Sequence, residues 1–273
     1  MATVYEIVTN EILKRLDQGV VPWRRPWYCP TARNWKTQKP YRGINAMLLQ
    51  GGEYLTYKQA LEAGGRVKRG EHGHPIFFFS WIEKENIKTG KSERHAILRY
   101  YTGFEISQCE GIASKFEEAE PLQFSPIEAA EKLICGYGHA PEIRHCEPSA
   151  FYSPAGDYIN MPQKATFVNE EEYYSTLFHE AVHSTGHASR LNRKGIVSTA
   201  HFGSKNYGQE ELVAEMGAAM LCGVAHIDHA TIDNSAAYIQ SWKKAIAADI
   251  KMVMMAAAQA QKAADYIQGI SIN

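Results

Sequence analysis

The sequence predicts an α+β chain of two domains, an N-terminal α+β domain and a mostly helical second domain carrying a small β-sheet. Three observations predict it. Apolar residues alternate in short runs through the first half and recur at helical spacing through much of the second. Charge divides the same way: residues 1–115 hold 18 Lys and Arg against 11 Asp and Glu, and the rest hold 11 against 19, although the whole chain of 273 residues nets only −1. Between the halves, Ser114–Phe124 is acidic, carries Pro121 and has no period. The expected domains are 1–115 and 125–273.

Taken in order, Thr3 and Glu6 form a capping box for a helix whose stripe is Val4, Val8, Ile12 and Leu16, ended by Gly19 and Pro22. A short helix starts at Thr56. Strands follow at Pro75–Ile82 and Ala96–Ile106, joined through the turn-like Lys88–Lys91. After the acidic stretch, Ser125-Pro126-Ile127-Glu128 opens a helix over 126–136, with proline at its first position. A hairpin is expected around Ser153–Asp157. A helix capped by Asn169, a second helix rich in glutamate and a long alanine-rich helix from about Ser235 to Gln268 complete the second domain.

The helix after Asn169 carries His179-Glu180-Ala181-Val182-His183. Positions i and i+4 share a helical face, so His179 and His183 can hold one metal ion, and Glu180 can reach a metal-bound water as general base. Glu170, Glu171 and Glu172 suit the positive end of the helix dipole, and Gly186 is a plausible stop. A third ligand is needed. Ser189 stands where a third histidine of the longer HExxHxxGxxH motif would be; His187 could serve if the helix continued past Gly186. The better source is the second helix, where Glu211 and Glu215 are again i and i+4. In the gluzincin pattern the first acid binds metal and the second accepts a hydrogen bond from a ligating histidine, so Glu211 is taken as ligand and Glu215 as its support, with the reverse left open. Zn²⁺ is the expected ion, with Mn²⁺ an alternative. The Asp157–Met161 strand could align an extended substrate by β-augmentation, and Tyr207, His201 or His187 could stabilise an oxyanion.

In the first domain no acid occurs from Gln18 through Gly52. That stretch interleaves Arg24, Arg25, Arg33, Lys36, Lys39 and Arg42 with Trp23, Trp27, Tyr28, Trp35 and Tyr41. Cations neutralise phosphates and flat rings stack on unpaired bases, which together suit single-stranded nucleic acid. The candidate contacts are Trp23, Arg24, Arg25, Trp27, Arg33, Trp35, Lys36, Lys39, Tyr41 and Arg42. No major-groove element is recognisable, and no carboxylate cluster suggests two-metal phosphodiester chemistry. Five scattered cysteines without a CxxC pair read as reduced thiols, and no apolar run has the length of a membrane span, so a cytoplasmic protein with no membrane partner is expected.

Several stretches resemble one family. Gly19–Trp27 (GVVPWRRPW), Tyr41-Arg42-Gly43-Ile44-Asn45 and Phe104–Gly111 are similar to the N-terminal domain of ArdC-type antirestriction proteins. Phe151–Pro154, Asp157–Pro162, the segment from Tyr173 to His187, Arg190–Arg193 and Glu210–Glu215 resemble the zincin-like domain of the same family. The resemblance implies a single-stranded-DNA-binding domain joined to a metallopeptidase-like domain, carried on mobile elements such as plasmids and protecting incoming DNA from restriction. Glu105 departs from it, standing where the family's Phe-Asn-x-x-Gln segment has asparagine. Two functions follow: a DNA-binding antirestriction protein whose metal domain cleaves or binds a host protein, or primarily a metal-dependent protease delivered to nucleic acid by its basic domain.

Overall fold

The computed structural model describes residues 3–17, 32–85, 92–115, 126–167, 169–197, 205–227 and 236–270. They fall into two compact units that divide near residue 119. In the first, β1 (Arg33–Asn34), β2 (Glu53–Thr56), β5 (Ser92–Glu105) and β4 (His74–Glu85) form a sheet in the order β1-β2-β5-β4. The expected hairpin is its largest part, with β4 and β5 antiparallel from His74↔Gly103 to Glu85↔Ser92. Short helices α2 (Ile44–Leu48) and α3 (Tyr57–Glu62) pack beside it, and β3 (Arg66–Val67) pairs with β6 (Cys109–Glu110). Successive side chains on a strand face opposite ways. Tyr54 therefore joins Ala32, Leu49 and Ile76 in one core cluster, while its neighbour Leu55 joins Ala60 and Cys109 in another.

Polar side chains fix the turns of this unit. Thr56 and Gln59 cap α3 reciprocally. Asn45 bonds both backbone groups of Phe77, tying α2 to β4. The fully buried Glu53 carboxylate accepts from Gln38 Nε2 (2.7 Å), Ser114 Oγ (2.8 Å) and the Lys115 amide (2.9 Å). Glu105 acts likewise, accepting from the Ser107 amide at 2.7 Å at the start of a short 3₁₀ turn. An acceptor is what that cap requires, so a carboxylate serves there.

The second unit is built on α4 (Pro126–Cys135), α5 (Glu170–Thr185), α6 (Lys194–Val197), α7 (Lys205–Ala225), α8 (Ala236–Ala248) and α9 (Met252–Ile267), with a sheet of β7 (Glu142–Arg144), β9 (Tyr158–Asn160) and β8 (Phe151–Ser153). By its packing it includes most of the first helix, α1 (Val4–Asp17). Val8, Ile12 and Leu16 are buried, Thr9 Oγ1 donates to Ile250 O at 2.9 Å, and Asp17 pairs with Lys243. A correction concerns the alanine-rich segment, which is two helices rather than one. Asp249 breaks it: its side chain accepts from the Lys251 amide, and its backbone carbonyl from Met252. Among the described residues no helix is long and apolar enough to cross a membrane.

Candidate metal centre

Helix α5 is buried on all sides from Tyr173 to Thr185. Its polar residues therefore sit inside the unit, where they need partners. Asn169 caps its N-terminus, accepting from the Glu172 amide at 2.8 Å. The helix ends at Thr185, so His187 lies beyond it; its Nδ1 is 2.8 Å from Ser189 Oγ, and it is not brought into the ligand cluster. Gly186 has φ −76°, an ordinary right-handed conformation, so glycine is not required there for handedness. It is required for space: a Cβ at Gly186 would lie 2.6 Å from Ile196 Cγ1 and 3.0 Å from Arg193 Nη2.

Helix α7 crosses α5 at another glycine. A Cβ on Gly217 would meet the two γ-methyls of Val182 at 2.8 and 2.9 Å. This close approach brings Glu211, six residues earlier on α7, over the histidines. The two imidazole Nε2 atoms lie 3.1 Å apart, His179 Nε2 is 3.6 Å from Glu211 Oε2, and His183 Nε2 is 3.6 Å from Glu211 Oε1. A tetrahedral ion with bonds of about 2.0–2.1 Å places its ligand atoms about 3.3 Å apart. The triangle has the right donors at the right size for a divalent cation. Glu211, with 22% of its side chain exposed, is the accessible corner; His179, His183 and Glu180 are buried.

The far nitrogens of both imidazoles are buried and point at carboxylates. His179 Nδ1 lies 3.8 Å from Glu215, and His183 Nδ1 lies 3.5 Å from Glu210; neither contact is a hydrogen bond as placed. Burial disfavours a charged His179, yet the nearby carboxylates of Glu211, Glu180 and Glu215 overcome it and push its pKa up to about 9. Four acids around two imidazoles make a strongly cation-seeking pocket. At Glu210 burial acts upward, but His183 and Arg193 outweigh it and hold its carboxyl below the usual range.

The buried pair of Glu210 and Arg193 beside His183 was not foreseen from the sequence. A run of two acids on a largely apolar helix was the available signal, since a buried helix seldom keeps an acid without a partner. A further correction concerns substrate. The segment expected to align a peptide becomes β9, which is parallel to β7 on one side and antiparallel to β8 on the other. With both edges paired it has no free backbone for augmentation. Tyr207 and His201 have side chains outside the described residues.

Of the proposed nucleic-acid contacts, Trp23, Arg24, Arg25 and Trp27 lie outside the described residues. Lys39 and Arg42 are exposed and Arg33 is half-buried. Lys36 is exposed but pairs with Glu62 at 3.0 Å. The two described aromatic side chains, Trp35 and Tyr41, are engaged internally. Trp35 Nε1 donates to Ala113 O at 2.9 Å, Lys115 Nζ sits 3.8 Å above the ring, and the ring packs against the Leu55 cluster. Tyr41 lies edge-on to Tyr54, with its hydroxyl 3.2 Å from that of Tyr101.

Two histidines on one buried helix, a glutamate on its neighbour and a glutamate between the histidines define a zincin-type domain, joined here to a separate α+β unit. Residues 2–104 match the N-terminal domain of anti-restriction factor ArdC, and residues 128–259 match the zincin-like metallopeptidase family. The chain belongs to the ArdC-type antirestriction family. It is similar to the antirestriction ArdC protein from plasmid R388 in its metal-free structure (37% identity, 98% of both chains, TM-score 0.80). The Mn(II)-bound structure of that protein is also similar (36% identity, 100% of this chain and 99% of that one, TM-score 0.79). An uncharacterized protein, y4eC, of Sinorhizobium fredii (strain NBRC 101917 / NGR234) is 30% identical over 97% of this chain and 91% of its own length. A DNA primase TraC of Escherichia coli is 36% identical over 96% of this chain, which spans only 27% of that primase.

Proposed function

We propose that this is a single-stranded-DNA-binding antirestriction protein whose second domain is a metal-dependent peptidase, with His179, His183 and Glu211 as metal ligands and Glu180 as general base. The observation that carries the enzymatic part is the triangle of two Nε2 atoms and one carboxylate, 3.1–3.6 Å on a side, beside the buried Glu180. Zn²⁺ suits a His₂Glu set, and Mn²⁺ remains the alternative, since a relative was crystallised with it. Such an ion, when bound, polarises a carbonyl and acidifies water. Glu180 takes a proton from the attacking water at its carboxylate and returns it to the departing amine nitrogen, so it ends the cycle ionised. Glu215 lies against His179 Nδ1 and favours the tautomer whose Nε2 lone pair faces the metal. The substrate on this reading is a host protein.

DNA binding is supported by the ArdC-type N-terminal match, by the acid-free stretch from Gln18 to Gly52 and by the basic balance of residues 1–115. Affinity for a single-stranded oligonucleotide should fall steeply with salt, and replacing Arg24 and Arg25 together should flatten that slope. The peptidase is tested by Glu180→Gln in the full chain. It should keep its metal and lose hydrolysis of the host protein; hydrolysis at the wild-type rate would remove Glu180 from the mechanism.

A further inference from the structure

The seven residues after Gly186 fold straight back onto the end of α5. Leu191 donates its amide to Thr185 O (2.8 Å), Asn192 to His187 O (3.0 Å) and Arg193 to Gly186 O (2.9 Å), with Asn192 in the left-handed region at φ 50°. This turn delivers the Arg193 side chain under the helix, where only 5% of it is exposed. Nη1 donates to Thr185 Oγ1 at 2.6 Å, and Nη2 to Val182 O at 2.8 Å. That carbonyl is available because the Gly186 amide turns to His183 and Ser184 instead. A cation capping the negative end of a helix is favoured. The rest of the fork reaches α7: Nε is 3.1 Å from both Glu210 oxygens and Nη2 is 2.5 Å from Oε1. The same Oε1 lies 3.5 Å from His183 Nδ1.

We infer that Arg193 is a positioning residue for metal binding: it clamps Glu210 so that this carboxylate fixes the ring of His183, and Gly186 is glycine so that the guanidinium can enter. The inference rests on the proposed His179, His183 and Glu211 ligand set and adds a support that the HExxH motif does not contain. The geometry separates it from packing alone. One planar fork joins the end of the helix that carries both histidines to the residue next to ligand Glu211, so the relative placement of all three donors passes through it. The His179 side has a weaker counterpart, with Glu215 at 3.8 Å.

The test is Co²⁺ and Zn²⁺ binding by the full chain, read by chelator competition and by the visible spectrum of bound Co²⁺. Arg193→Lys keeps the charge and loses the fork. Glu210→Asp keeps the charge and withdraws the carboxylate from His183. Each should bind Co²⁺ about 10–100-fold more weakly and with an altered spectrum, which a loss of general stability would not produce in protein that still melts cooperatively. Should either fail to fold, the double replacement Arg193→Met with Glu210→Met removes both charges together and should show the same weakening. Folded variants with wild-type affinity and spectrum would overturn the role of Arg193 while leaving the ligand set intact. Wild-type protein that binds neither metal would overturn the ligand set and this inference together.

Discussion

Replacing Gly217 by alanine adds one methyl group at the crossing of α5 and α7, where its Cβ would stand 2.8 and 2.9 Å from the γ-methyls of Val182. Carbon atoms in contact prefer about 3.5–4.0 Å, so the helices must part by roughly 0.7 Å or more. Val182 cannot swing aside, because a β-branched side chain on a helix has one strongly preferred rotamer, and it is wholly buried. Two effects oppose each other. Alanine improves helix propensity by about 0.8–1.0 kcal/mol, while overpacking a close-fitted core costs about 1–3 kcal/mol. The second should win, giving a net loss of up to about 2 kcal/mol. Glu211 lies six residues, about 9 Å, back along the same helix, so metal affinity should fall with stability. Denaturant unfolding of the metal-free protein and Zn²⁺ competition on the same preparation measure both. Adding Val182→Ala should restore metal affinity by vacating the space, although its own cavity costs stability. A Gly217→Ala protein that is more stable than wild type and binds metal equally well would refute the close-approach argument.

Trp35→Ala should lower the melting temperature of the full chain, because the ring packs against the Leu55 cluster and its Nε1 holds Ala113. The loss should lie below the 3–5 kcal/mol usual for a fully buried aromatic; weakened DNA binding at an unchanged melting temperature would show that the ring faces DNA instead. Asp157 is held below the ordinary carboxyl range: burial raises it, but Arg190 and Tyr152 hydrogen bonds and the charge of Arg190 overcome this. A depressed carboxyl contributes stability that is present above its unfolded value near 3.9 and is lost as pH falls through the lower folded value. Asp157→Asn should therefore cost about 1–3 kcal/mol at pH 7 and make progressively less difference below about pH 4. An equal penalty at pH 3 and pH 7 would mean that the ion pair is not the cause.

Legibility in the sequence followed the range of the forces. Local devices could be read directly: the Asn169 cap, the Thr56 start of α3 and the β4–β5 pairing all depend on neighbours in sequence or on strict alternation. His179 and His183 belong to this group, since four residues on a helix fix their spacing. Features set by long-range contacts were harder. The break at Asp249 is stabilised by a bond from Thr9, 241 residues away from Ile250, and nothing in an alanine-rich run marks it except one aspartate. The pairing of β9 on both edges depends on β7, which lies across a turn of irregular residues. Gly186 does stop α5, as its sequence suggests, but the room it leaves for Ile196 and Arg193 was not visible there. The partner of Glu210 was hidden because the acid sits next to Glu211 in sequence, and only the returning Arg193 shows that it is paired inside the unit.

The most direct test of the central claim is the metal content of the full chain after equilibrium dialysis against Zn²⁺, for the wild type and for His183→Ala, Glu211→Ala and Glu215→Ala. Among the described residues, His179, His183 and Glu211 bring their donor atoms together within 4.8 Å, while Glu215 lies on the far side of His179. The wild type should hold one ion per chain, His183→Ala none, and Glu211→Ala should lose more affinity than Glu215→Ala. A larger loss in Glu215→Ala than in Glu211→Ala, or full retention by Glu211→Ala, would contradict the assignment of Glu211 as the third ligand.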